Sequence, residues 1–159
     1  MSTETDKAKQ ILAENQYMTV ATSTTDGKPW ISPVFFAYDD EYNLFWVSNK
    51  DALHSRLIRE NERVAIVIFN STAHEGKADG VYFEAVASEL SDWEEIRHAM
   101  EILDKRVKVD EYRIVDQSQV TGQATWRIYR AKPQVASKLG DCHYVNGQLV
   151  DKRIHIELS

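Results

Sequence analysis

The stretch Pro29–Arg63, PWISPVFFAYDDEYNLFWVSNKDALHSRLIRENER, reads as strand, acidic turn, strand, short polar loop and helix. Trp30–Tyr38 is rich in aromatic and β-branched residues, Asp39-Asp40-Glu41 turns the chain, and Asn43–Val47 returns as an apolar strand. Ser48-Asn49-Lys50-Asp51 then leads into a helix predicted over Ala52–Glu60, with Asp51 as its cap. A helix start offers free backbone N–H groups and a partial positive charge. Hydroxyls and cations beside it suit an anion, most often a phosphate, and Ser48, Lys50, His54, Ser55 and Arg56 stand there. Pro33 lacks a ladder donor, which marks an edge, a bulge or a place where a ligand meets the backbone.

Upstream, Asp6–Gln16 has helical periodicity, Tyr17–Ser23 reads as a strand, and Asp26-Gly27 suits a hairpin turn into the quoted stretch. Downstream, Arg63–Phe69 reads as a strand buried on both faces, Asn70–Asp79 as a polar loop and Gly80–Leu90 as an alternating strand. Ser91 with Glu94 predicts a capping box opening a helix to about Arg106. Its stripe of Trp93, Ile96, Met100 and Leu103 serves either barrel packing or a subunit contact. Val109–Gly122 gives no clear pattern, Thr125–Lys132 alternates as a strand, and Asn146-Gly147 marks a hairpin within Tyr144–Val150. Many strands joined by short turns, without alternating βαβ units, predict a mainly β fold: an antiparallel barrel with flanking helices, as one domain over residues 1–159.

Composition narrows the function classes. The 159 residues carry a formal net charge of −6, against the basic face of a general nucleic-acid binder, so no nucleic-acid partner is expected. The apolar runs are too short to span a bilayer, and the polar start MSTETDKAKQ has no secretory h-region. No membrane partner and a cytoplasmic address are expected. One cysteine, Cys142, excludes an internal disulfide framework. The five histidines, 54, 74, 98, 143 and 155, lack the i, i+4 spacing of a helical zinc site, so no metal is expected. The aromatics fit sheet cores, with Trp46 and Trp126 the best placed to flank a flat ring.

The run from YMTVATSTTDGKPWISPVFF through LFWVSNKDALHSRLIRENERVAIVIF to GVYFEAVASEL resembles the split-barrel flavoproteins related to pyridoxamine 5′-phosphate oxidase, over roughly residues 10 to 135. The resemblance implies a split barrel, a homodimer, and FMN in clefts at the subunit interface, with the deazaflavin F420 or haem as alternatives. It implies ring contacts from Ser32, Pro33, Val34 and Phe35. Phosphate contacts would come from Val47, Ser48, Asn49, Lys50, His54 and Ser55, and a flavin contact from Arg153. The substrate-gripping arginine and histidine of the oxidases are matched by Leu149 and Asp151, and an aspartate repels a substrate phosphate. The implied activity is therefore a flavin-dependent oxidoreduction of another small molecule or electron donor, and no side chain stands out as a general acid or base. The alternative is a protein that binds flavin or haem without turning over a substrate.

Overall fold

The computed structural model describes residues 3–140 and 143–158. Cys142 lies outside the described residues. One antiparallel sheet runs in the order β2 (Pro29–Phe35), β1 (Tyr17–Ser23), β5 (Arg63–Phe69), β6 (Gly80–Glu89), β7 (Trp126–Leu139), β4 (Leu44–Asn49), β3 (Ala37–Tyr38), and β10 (Arg153–His155) pairs with β7. β2 and β4 touch without being hydrogen-bonded neighbours, so the sheet curls into a barrel that stays split between them. The mainly β split barrel expected from the sequence is the observed fold.

Alternation puts Met18, Val20, Val34, Leu44, Trp46, Ile66, Ile68 and Phe83 inside the barrel. Helix α1 (Glu4–Glu14) adds Ala8 and Leu12 to this core, and helix α2 (Leu53–Glu60) adds Ile58. A second core lies between the other face of the sheet and helix α3 (Trp93–Asp104). There Phe45 and Ile128 meet Ile96, Ala99 and Leu103, so the packing of the α3 stripe is settled for Ile96 and Leu103. The Lys138 ammonium, with its side chain 2% exposed, is held at 2.7 Å by both Glu4 and Asp79. This ties α1 and the 70–79 loop to β7, and the pairing holds the Glu4 carboxyl down at about 2.

Several boundaries differ from the sequence reading, each for a physical reason. α1 starts at Glu4 rather than Asp6 because Thr3 and Asp6 form a reciprocal capping box. The strand predicted over Trp30–Tyr38 breaks at Phe36, whose N–H donates to the Gln16 carbonyl. Pro33 lies on the edge strand, where a missing donor is tolerated. Asp51 does not cap α2; Ala52 holds that position without a side-chain bond. β5 is not buried on both faces: Arg63, Ala65 and Phe69 point outward and are exposed. The cap of α3 is Asp92, whose carboxylate accepts from the Glu95 N–H, not Ser91. β7 runs past Lys132 to Leu139, with a bulge opposite Glu84 and Ala85. The Asn-Gly hairpin forms between β8 (His143–Val145) and β9 (Gln148–Val150), with positive φ at Asn146 and Gly147.

Candidate cofactor site

β4 carries Ser48 and Asn49 further into the sheet than a loop reading allows, because they pair with Arg127 and Trp126. The chain then leaves the sheet. The Lys50 N–H donates to the Thr125 carbonyl at 2.9 Å, and the Ala52 N–H to the Asn49 carbonyl at 3.1 Å. The Asn49 side-chain oxygen accepts from the Asp51 N–H at 2.8 Å. This tight exit brings the first turn of α2 back against the strand it left. His54 Nε2 sits 2.9 Å from the Ser48 hydroxyl, and Ser55 is wholly buried beside them.

The corner joins a half-buried imidazole to serine hydroxyls. Burial pulls the His54 imidazole below its ordinary pKa, toward the neutral form. Among the described residues, the Ser55 hydroxyl has no hydrogen bond of good geometry, although the Tyr129 phenol lies against it. Arg56 is exposed on the same helix. The Ser48 hydroxyl and the His54 imidazole are the polar side-chain groups that the corner brings together, next to the Lys50 backbone.

Sequence reasoning missed the group that fixes this corner. Arg59 donates to the Lys50 carbonyl at 2.6 Å and to Glu89 at 3.0 Å, and the Tyr129 hydroxyl donates to Glu89 at 3.1 Å. Arg59 is thus occupied in holding the loop rather than a ligand. The signal was absent from local sequence because Glu89 and Tyr129 come from β6 and β7.

The second predicted group, Ser32-Pro33-Val34-Phe35, lies on β2 across the split. Ser32 accepts from the Trp30 indole at 3.1 Å, and Val34 is turned into the barrel core. Phe35 and Val47 line one cleft of about 620 Å³, which Trp126 also borders. The structure therefore brings the ends of both predicted segments to one cavity. Trp46 does not flank it: it is wholly buried and stacks on Tyr129 at 5.5 Å. Arg153 is apart from the rest. Its neighbour across the ladder is Leu139, thirteen residues along β7 from Trp126, roughly 40 Å of strand. Its guanidinium lies 4.0 Å from the centre of the Tyr82 ring on the outer face of the sheet. Among the described residues no group of three His, Cys, Asp or Glu side chains is placed to hold a metal, and no helix is long and apolar enough to cross a membrane.

A family model described as pyridoxamine 5′-phosphate oxidase matches residues 4–134. A UPF0306 protein of Pasteurella multocida (strain Pm70) is 28% identical over 78 residues, 48% of this chain and 52% of that protein. The chain thus spans about half the length of the curated relative it matches. Among solved structures, a heme binding protein from Mycobacterium smegmatis superposes with a TM-score of 0.68 at 19% identity, over 96% of this chain and 58% of that one. HutZ, the heme storage protein from Vibrio cholerae, gives 0.67 at 20% identity, over 84% and 92% of the two chains. A FAD-binding protein from Mesorhizobium loti gives 0.60 at 21% identity, over 83% and 91%. At these identities the likeness is one of fold.

Proposed function

The chain belongs to the pyridoxamine 5′-phosphate oxidase family, and on that premise we propose that it is an FMN-binding oxidoreductase acting on a small molecule, assembled as a homodimer with the cofactor between subunits. The observation that carries the reading is the Ser48–His54 pair at 2.9 Å, at the start of α2 beside the pinned Lys50 backbone. Ser48, Ser55 and the Lys50 ammonium would donate to the phosphate oxygens, and His54 would gain a proton there. The backbone of Ser32 to Phe35 would lie along the ring. FMN, when bound, supplies the hydride and electron chemistry. The protein's own work is to bind, orient and shield that ring. The pinned loop supports this, since Arg59 and Glu89 hold the Lys50 backbone in place before any ligand arrives.

The outer face of the sheet supports the homodimer. Ile31 and Phe69 are 64% and 45% exposed there, and Pro33 and Ala65 extend the same apolar surface. A patch of this kind on a sheet face calls for a partner.

Reversing the charge at the corner tests the assignment. Lys50→Glu with His54→Glu should weaken FMN binding by about 2 kcal/mol or more, because attraction becomes repulsion. Titration of FMN into the folded double variant reads this directly, and unchanged affinity would remove the phosphate from this corner. The haem reading has a separate signature, a Soret band retained through purification. F420 would show the deazaflavin absorbance in place of the flavin bands.

A further inference from the structure

The Asn146-Gly147 turn belongs to a part of the molecule that the barrel does not hold. β8 and β9 form a two-stranded sheet of their own, paired with each other and not with the eight-stranded sheet. Every residue from His143 to Val150 is exposed. Tyr144 and Leu149, which face each other across the ribbon, are 74% and 60% exposed, so its largest side chains find no core. The anchor lies at the base, where the Gly140 N–H donates to the Lys152 carbonyl at 2.7 Å and Arg153 pairs with Leu139. An isolated two-stranded hairpin is marginally stable in water, and a segment of this kind opens locally without unfolding the domain.

The turn joins two groups that react with each other. The amide carbon of an asparagine side chain is an electrophile for the backbone nitrogen of the next residue, and a side chain on that residue hinders the ring closure. Gly147 has no side chain, and nothing lies within 4 Å of the place a Cβ would take. In the paired turn Asn146 and Gly147 stand at φ of 50° and 79°. Opening the ribbon frees ψ of Asn146, the dihedral that carries the Gly147 nitrogen onto Cγ. The other five asparagines are each followed by a residue with a side chain. Their own side chains are also bonded: Asn15, Asn43 and Asn61 donate to Ile11, Asp39 and Ser23, and Asn49 and Asn70 accept from the Asp51 and Thr72 N–H groups. Among the described residues no such bond holds the Asn146 side chain.

We propose that Asn146 is a modification site, at which the folded protein deamidates spontaneously to aspartyl and isoaspartyl forms. The Gly147 nitrogen bonds to Cγ of Asn146 and the Cγ–Nδ2 bond breaks. The proton of the attacking N–H leaves with Nδ2 as ammonia, and a succinimide remains. Water then opens the ring at either carbonyl. One water is consumed and one ammonia released, with no oxidation or reduction. The aspartyl product carries a carboxylate in place of the amide. The isoaspartyl product also routes the main chain through the side chain, and the added methylene misaligns the ladder that pairs Val145 with Gln148. No step depends on the flavin reading.

Incubation of the full chain at mildly alkaline pH, followed by peptide mapping with mass spectrometry, tests it. We expect a mass gain of about 1 Da in the peptide that spans Asn146, ahead of every other asparagine peptide, with an isoaspartyl form resolved by chromatography. The rate in the folded protein should lie within tenfold of the rate at Asn146 in the chain unfolded by guanidinium, because the ribbon protects the turn so little. Gly147→Ala should slow the reaction at least tenfold. Position 147 is exposed, and circular dichroism confirms that the variant is folded. Suppression of more than tenfold relative to the unfolded chain, earlier reaction at another asparagine, or a Gly147→Ala variant that reacts at the wild-type rate would overturn the proposal. So would a mass gain without an isoaspartyl form, since that would mean direct hydrolysis of the amide.

Discussion

His54 carries little charge where it stands, since burial favours its neutral form and the Ser48 hydroxyl is its hydrogen-bond partner. An anion at this corner reverses the balance, because the protonated imidazole then gains a charged acceptor. With a phosphate bound at this corner, the pKa of His54 would be higher than in the free protein. Affinity for a phosphate ligand is fully developed below the free-state value and declines as pH rises through the bound-state value. FMN titrations between about pH 5 and 8 should show this decline, and His54→Gln should flatten it to the slope that the phosphate's own ionisation contributes. An unchanged slope in the variant would place His54 outside the site. The residue types at this corner were legible in the sequence, because a strand end, a polar turn and a helix start are local patterns. In sequence Arg59 is one more cation on the same helix. Its actual task, joining the Lys50 carbonyl to Glu89, depends on a strand that begins twenty-one residues later at Gly80.

The elements were read best where their signals are local and worst where partners from elsewhere decide. β1, the Gly27 turn, α2 and the Asn146-Gly147 hairpin each follow from composition or a positive-φ position, and they stand close to where the sequence put them. Ser48 and Asn49 have a loop-like composition, yet they are strand because Arg127 and Trp126 supply a ladder. β7 passes through Pro133 because β6 pairs with it on both sides of the bulge. The segment between α3 and β7 had no readable period because it is two single 3₁₀ turns held by side chains, Arg113 and Asp116 above all. α3 offers a direct check of one such correction. Asp92→Ala should destabilise the fold by about 1 kcal/mol, as loss of a helix cap does, whereas Ser91→Ala should leave it nearly unchanged. Urea unfolding monitored by far-ultraviolet circular dichroism distinguishes the two, and the opposite ranking would restore the Ser91 cap.

At the scale of the whole molecule, the curl of the sheet explains why distant segments border one cleft. Residues 32–35 and 47–50 lie at opposite ends of the strand order, and only the approach of β2 to β4 brings Phe35 and Val47 to the same cleft. The outer face of β1, β2 and β5 carries the exposed Ile31, Pro33, Ala65 and Phe69. If that face is the subunit contact, Ile31→Glu should shift the protein from dimer to monomer in sedimentation velocity, and lower FMN affinity with it. A wild-type monomer, or a variant that remains dimeric, would move the contact elsewhere. The claim on which the account turns is that the Ser48–His54 corner belongs to a flavin site. The absorbance spectrum of the purified protein, before and after FMN is added and the excess removed, tests it most directly. We predict oxidised-flavin bands that remain with the protein in stoichiometric amount. A protein that releases all of its FMN, or that carries a Soret band instead, would contradict the account.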